Sequence, residues 1–354
     1  MTDERQSFHW RAETRPRAQA PARLSSALKP LVVDRASSAE ALVREVVGLL
    51  MDWLSDHGQD LDWPGLQRSW ATDIRAFRES HGWRGPVAHL LETIDRLPRF
   101  ARDGCLNAAP RDVLAEEMGL WADGYDPLPG LEPNGGTWNG EPLASGCRLP
   151  DRADCARALI DDAQRGEIIC VHGYSTTVVA VISAMQERGL KPQLVLSEGS
   201  PDLGGRRMAR ELVPLGVQIR ICYDVALASE LANADRVFIG TEAIGPECVL
   251  ARVGTTTLFQ EARRREVPTF VLATADKWMP RGEMMLPRWC EKDPWLLWES
   301  APDGVELDSQ AFERVPLSLV DFFATECGLE SASQFSLRAL RTGTDVRALD
   351  HVTY

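Results

Sequence analysis

Between Glu167 and Lys277 the chain carries five short apolar runs, and every run leads into polar or charged residues. They are Ile-Ile-Cys-Val ending at His172, Leu-Val-Leu ending at Ser197-Glu198, Ile-Arg-Ile-Cys-Tyr ending at Asp224, Val-Phe-Ile-Gly ending at Thr241-Glu242, and Phe-Val-Leu-Ala ending at Asp276-Lys277. Amphipathic stretches of helical length separate most of them. Buried runs of about 4 to 8 residues alternating with helices are the pattern of βαβ units in a parallel sheet. The expectation is an α/β fold. In open sheets of that kind ligands bind outside the carboxyl ends of the strands. His172, Glu198, Asp224, Glu242 and Lys277 are therefore expected to line one rim, and that rim is the candidate site.

The 354 residues are enough for two domains. A hydrophobic content of 44% and a charged content of 26% are those of an ordinary globular protein. A formal charge of −13, with a pI near 5.0, argues against a general binder of nucleic acid or of an acidic membrane. The eight cysteines, Cys105, Cys147, Cys155, Cys170, Cys222, Cys248, Cys290 and Cys327, are scattered with no CxxC pair. That spacing offers neither a disulfide framework nor a zinc site, and no metal or cofactor is expected. A reduced, cytoplasmic setting fits best. No run approaches the roughly 18 apolar residues of a membrane span.

Residues 1–25, with five arginines, Pro16 and Pro21 but no apolar core, are expected to be a flexible leader and not a secretory signal. Residues 26–121 are expected to be an all-helical N-terminal domain. Its helices open near Ser38, run about Trp63 to Glu79, restart from Val87 after the His81–Pro86 break, and run Pro110 to about Trp121. Residues 122–150, rich in Gly, Pro and Asn, are expected to be a linker or long surface loop. The sheet domain is expected over 151–334, with a weakly structured tail over 335–354. Within it a helix over 151–164 leads into strands at 168–172, 193–197, 217–223, 236–241 and 269–274. Helices are expected at 176–189, 204–215, 225–233 and 255–265, an irregular loop after the fourth strand, and a last helix near 320–328.

Several clusters on that rim could carry chemistry, and each also has a plain structural reading. In His172-Gly173-Tyr174-Ser175-Thr176-Thr177 the glycine lets backbone approach a ligand, and the helix amides and hydroxyls can receive an anion. The plain reading is a helix cap at Ser175 or Thr176. The spacing is not that of a P-loop. After Glu198, Gly204-Gly205 precede Arg206-Arg207 at a helix start, where the dipole disfavours cations unless they face a phosphate or carboxylate. The plain reading is a solvated Arg206 paired with Glu211. Glu242 is a candidate acid–base group, or a cap. Gly254-Thr255 is a second glycine-then-hydroxyl helix start, and Lys277 could meet a phosphate or be a surface lysine. Carboxylates, hydroxyls and cations on one rim suit a phosphorylated sugar or a nucleotide better than an apolar ligand.

The ordered set VHGYSTTVV, LSEGSPDLGGRRMARELVPLGV, YDVALA, ADRVFIGTEAI, RVGT and VPTFVLATADKW, over about residues 165–330, resembles the α/β/δ regulatory subunits of translation initiation factor 2B. Relatives of that family are ribose-1,5-bisphosphate isomerase and methylthioribose-1-phosphate isomerase. The tail Phe312–Val320 with Thr325-Glu326-Cys327-Gly328 fits the same pattern, and Trp83-Arg84-Gly85 resembles the isomerases' Arg-Gly-Ala loop. The resemblance implies a helical N-terminal domain before a Rossmann-like parallel-sheet domain. It also implies a homodimer or higher homo-oligomer through the sheet domain, and a pocket for a sugar phosphate or nucleotide monophosphate at the strand ends. With the strand-end reading, the candidate ligand- and phosphate-binding residues are His172, Gly173, Tyr174, Ser175, Arg206, Asp224, Arg252, Gly254, Thr255 and Lys277.

In the same resemblance the isomerases carry a cysteine directly after the strand-end histidine and an aspartate after Gly-Ala. Those positions are Gly173 and Glu242 here, as in the regulatory subunits. The family's Asn-Lys-Ile-Gly-Thr is Ala251-Arg252-Val253-Gly254-Thr255, so an asparagine is lost and a cation kept. The reading is a protein that binds a phosphorylated ligand and regulates. One alternative is a phosphosugar isomerase using Glu242 or Glu198 as its base. Another is a scaffold whose N-terminal helices bind a protein.

Overall fold

The computed structural model describes residues 24–34, 39–57, 74–82, 84–102, 137–138, 141–142, 152–279 and 297–337. Residues 1–23 of the expected leader, most of the helix expected over 63–79, the helix at 110–121, most of the linker and the tail beyond 337 lie outside these residues.

The N-terminal part is helical wherever it is described: α1 Leu24–Val32, α2 Ala39–His57, α3 Arg75–His81 and α4 Gly85–Arg102. Helix α1 begins inside the segment expected to be a leader, because Leu24 and Leu28 fall one helical turn apart and both are fully buried. They join Leu42, Val46, Leu50, Phe77 and Leu90 in a core that excludes the sheet. The end of α1 is held from α3, where the Ser80 hydroxyl donates to the Val32 carbonyl and His81 Nε2 to the Leu31 carbonyl, each at 2.7 Å. These contacts satisfy carbonyls that a helix end leaves without partners.

After helix α5 Arg152–Ile160, the alternation expected from the sequence is present. Its elements are β1 Ile168–Val171, α6 Thr176–Glu187, β2 Gln193–Ser197, α7 Gly204–Leu212, β3 Gln218–Cys222, α8 Leu227–Glu230 and β4 Arg236–Gly240. They continue through β5 Ala243–Ile244, β6 Cys248–Arg252, α9 Thr255–Arg264, β7 Thr269–Leu272, β8 Phe312–Pro316, β9 Phe322–Thr325 and β10 Gly328–Ser331. Seven strands form one sheet in the order β3-β2-β1-β4-β7-β9-β10, parallel except for the β9–β10 hairpin. The strand order reverses between β1 and β4, which is where doubly wound sheets open a crevice.

The inner strands of the sheet are buried on both faces, so they are continuous apolar runs whose alternate residues enter different cores. Ile169, Val171, Leu194, Leu196, Phe238 and Phe270 enter the core under α6 and α7. Cys170, Val195, Val237, Ile239 and Val271 enter the core under α8 and α9.

Two expectations are corrected. The last helix, expected near 320–328, is the β9–β10 hairpin. Phe323 and Ala324 alternate into the two cores beside β7, and Gly328 closes the turn at a φ of 125°. The loop expected after Thr241 holds β5 and β6, which form a small antiparallel sheet with β8. Strands of two and five residues bounded by Gly245-Pro246 left too short a pattern to read. In the expected linker, Thr137–Trp138 pairs antiparallel with Glu141–Pro142.

Helix α4 docks on the sheet at the β4 and β7 ends. The Gly85 N–H donates to the Glu242 carbonyl at 3.1 Å, and His89 Nε2 to the Trp278 carbonyl at 2.9 Å. A Cβ on Gly85 would lie 2.6 Å from the Lys277 Cα, so only glycine permits this approach.

Candidate functional site

The turn from β1 to α6 carries the first cluster. His172 is 8% exposed, and both ring nitrogens are engaged. Nε2 lies 2.9 Å from the Val253 carbonyl, which can only accept, so Nε2 carries a proton; Nδ1 meets the Ser197 hydroxyl at 2.9 Å. His172 therefore braces the rim, tying β1 to β2 and to the segment after β6. Gly173 follows with a φ of 78°, and a Cβ there would lie 2.7 Å from the Arg252 Cγ. Any larger residue would be strained and would push Arg252 aside.

Ser175 caps α6, its hydroxyl accepting from the Val178 N–H at 3.3 Å. Tyr174 turns outward: its hydroxyl donates to Glu211 Oε1 at 3.0 Å, and the Arg207 guanidinium lies 4.0 Å from the ring centre. Burial, then the Glu211 carboxylate, pushes the Tyr174 hydroxyl pKa up.

Residues 198–203 connect β2 to α7 and are pinned from several sides. Asp224, just past β3, accepts from the Gly199 and Ser200 N–H groups at 2.8 Å each. Glu198 pairs with Arg206 at 2.7 Å. The plain reading of Arg206 is thereby corrected, because Arg207 is the residue one helical turn from Glu211 and pairs with it. Asp202 pairs with Arg252, whose guanidinium also lies 4.7 Å from the Phe312 ring centre. Gly254 begins α9; Thr255 is fully buried, and its hydroxyl donates to the Arg252 carbonyl at 2.6 Å. The next amide, Thr256 N–H, donates to Glu313 Oε1 at 2.7 Å.

A second cluster forms where α4 meets β4 and β7. Glu242 Oε2 lies 3.7 Å from the Nε of Arg84, whose side chain is 5% exposed. Lys277 is buried, with its ammonium donating to the Thr241 carbonyl at 2.8 Å. It is not the exposed lysine of the plain reading.

The candidate residues thus fall into two groups. His172, Gly173, Arg252, Gly254 and Thr255 meet at the ends of β1 and β6, with Glu198, Arg206 and Asp224 beside them at the β2 and β3 ends. Glu242 and Lys277 sit at the β4 and β7 ends with Arg84. The clusters above passed over Asp202 and Glu313. Asp202 is 50 residues from Arg252, and Glu313 is 57 from Thr256, so no local spacing marks either.

The thiols in β1 and β3 pack with the core under α8 and α9. Cys170 is fully buried in β1, and burial pushes its pKa up to about 12. Cys222 donates weakly to the Leu196 carbonyl at 3.6 Å, and burial raises its pKa too. Among the described residues no group of three His, Cys, Asp or Glu is placed to hold a metal ion. No described helix is long and apolar enough to cross a membrane.

A family model described as the initiation factor 2 subunit family (IF-2B) matches residues 151–331, just over half of the chain. A putative translation initiation factor eIF-2B subunit 2-like protein of Pyrococcus horikoshii is 28% identical over 181 residues, covering 50% of this chain and 61% of the relative. A ribose 1,5-bisphosphate isomerase of Haloterrigena turkmenica is 29% identical over 179 residues, covering 46% of this chain and 54% of that enzyme. The chain thus spans little more than half the length of the curated relatives it matches. Among solved structures, the translation initiation factor eIF-2B of Pyrococcus horikoshii superposes with a TM-score of 0.65 at 19% identity, covering 89% of this chain and 99% of that one. That likeness speaks for the fold alone.

Proposed function

Because the chain belongs to the initiation factor 2 subunit family, we propose that its sheet rim binds a phosphorylated sugar or a nucleoside monophosphate and recognises it without isomerising it. The observation that carries this reading is the missing thiol. Gly173 stands directly after His172, packed against Arg252, and the cysteine nearest in sequence, Cys170, lies in the core with its pKa pushed up to about 12. A thiol held so far from ionisation is no proton shuttle near neutral pH. The cations Arg206 and Arg252 and the hydroxyl of Ser175 support phosphate recognition.

A second reading, isomerisation with Glu242 as the base, is favoured by the relative named ribose 1,5-bisphosphate isomerase and by Glu242 itself, whose side chain keeps 22% of its surface exposed. A positioned carboxylate contributes about 10² to 10⁴ in rate, so losing the thiol partner should leave little turnover. The sheet is also proposed to join copies of the chain into a homodimer or higher homo-oligomer. Its edge at β3 leaves Ile221, Tyr223 and Val225 exposed, an apolar strip suited to burial against a second copy.

Thermal stabilisation by ribose 5-phosphate, ribose 1,5-bisphosphate, AMP and GDP tests the reading. A ligand at 100 times its Kd should stabilise by about 2.7 kcal/mol. No shift with any of them sinks both readings. A shift accompanied by ketose formation in NMR spectra, abolished by Glu242→Gln, would establish the isomerase instead.

A further inference from the structure

Three groups on the rim that could receive an anion are already met by a carboxylate of the chain. Glu198 meets Arg206 at 2.7 Å, Asp202 meets Arg252, and Glu313 accepts from the Thr256 N–H at 2.7 Å. Two of these carboxylates, Glu198 and Asp202, lie in the single connection between β2 and α7. Asp224 anchors the middle of that connection through two backbone N–H groups, so it is held in place independently of the arginines.

Arg252 differs from Arg206 in its surroundings. Its side chain is 18% exposed, against 50% for Arg206. It is confined between Gly173 and the Phe312 ring. One terminal nitrogen, Nη2, meets Asp202, whereas the other, Nη1, is buried without a hydrogen-bond partner. A planar guanidinium presents parallel donors that match a bidentate acceptor, and a buried donor without a partner is costly. The one-sided contact with Asp202 leaves that second donor unused. A phosphate has three terminal oxygens and more charge than a carboxylate, and it could engage both nitrogens.

We propose that Asp202 is an internal anion that occupies Arg252, and that a phosphorylated ligand binds by displacing it. Asp202 is then a latch: it neutralises a largely buried cation when the rim is empty, and its competition sets how tightly a phosphate is held. This rests on the phosphate-binding reading above and adds to it the residue that tunes the affinity. The latch swings on the peptide between the Asp224 anchor and α7, leaving the sheet unmoved.

Isothermal titration with inorganic phosphate tests the latch in the wild type, Asp202→Asn, Asp202→Ser and the double variant Asp202→Asn/Arg252→Gln. Circular dichroism checks that each is folded, and the two single variants guard against misfolding of one. Removing a competitor on a partly exposed pair should lower the phosphate Kd about fivefold in both single variants. The gain should vanish in the double variant. A purely structural Asp202 would give no gain when removed. An unchanged or higher Kd in both single variants overturns the latch while the phosphate site stands. A gain that survives in the double variant also overturns it, because the effect would then be general charge and not Arg252. No phosphate binding by any of the four proteins overturns the site reading, and the latch with it.

Discussion

The interior of the parallel sheet and its carboxyl rim are made from the same strands, yet they are held together by different forces. In β2, Leu194 and Leu196 point into one core and Val195 into the other, and any residue of similar volume and apolarity would serve there. At the end of the same strand Ser197 meets His172, and just past it Glu198 meets Arg206. These contacts are directional and specific to their partners, and one lost partner strands the other. The interior tolerates chemistry of one kind at many positions. The rim demands one group at each position.

That contrast can be broken by experiment, starting where the effect is largest. Phe238 is fully buried and meets Phe270 edge-on with ring centres 5.4 Å apart. Phe238→Ala should destabilise by about 3 to 5 kcal/mol in urea unfolding, whereas Phe238→Leu should recover much of the loss. Equal losses for the two would show that the interior is as exacting as the rim.

Asp224→Ala comes next. It leaves the Gly199 and Ser200 N–H groups without their acceptor and should lower stability by about 1.5 kcal/mol. Asp224→Asn keeps an acceptor but no charge and should fall between the two. If Asp224→Ala melts at the wild-type temperature, the connection does not need its anchor.

The smallest effect concerns pH. The Tyr174 hydroxyl titrates above its ordinary value because burial, and then Glu211, disfavour the phenolate. The folded pKa is the higher one, so this stabilisation is fully present below about pH 10, the unfolded value, and is lost as pH rises through the folded pKa. Unfolding midpoints of the wild type should therefore drop more steeply above pH 10 than those of Tyr174→Phe. Parallel slopes would remove Tyr174 from the account.

Much of the fold was legible because short apolar runs and helical spacing are local. Strands β1 to β4 and β7 fall where their apolar runs stand, within two residues at either end. The β9–β10 hairpin was not legible as strand. Phe322-Phe323-Ala324-Thr325 is apolar enough for either a helix or a strand, and only the free edge of β7 beside it decides. Strand β6 was missed for a related reason, because its partner β8 lies some 60 residues later in the chain, and β5, which pairs with β6, has only two residues.

At the site, the candidate residues were found by type and by their position after a strand, and the neighbours they meet were not. Lys277 is an example. Its place after β7 made it a candidate, but nothing in Ala275-Asp276-Lys277 indicates that the ammonium is buried against the Thr241 carbonyl. Arg252 is another: the retained cation was visible, its carboxylate partner was not.

The sequence by itself determined strands β1 to β4 and β7, the helices between them and the rim to which polar residues are delivered, because apolar runs and helical spacing are written over a few neighbouring positions. The pairing on that rim was decided by the tertiary structure. Asp202 with Arg252, Glu313 with the α9 amide and Arg84 with Glu242 join segments brought side by side by strand order and by the docking of α4, across separations that no local pattern spans. Charge attracts over any of those separations, but a hydrogen bond forms only where packing of the cores has already set the distance.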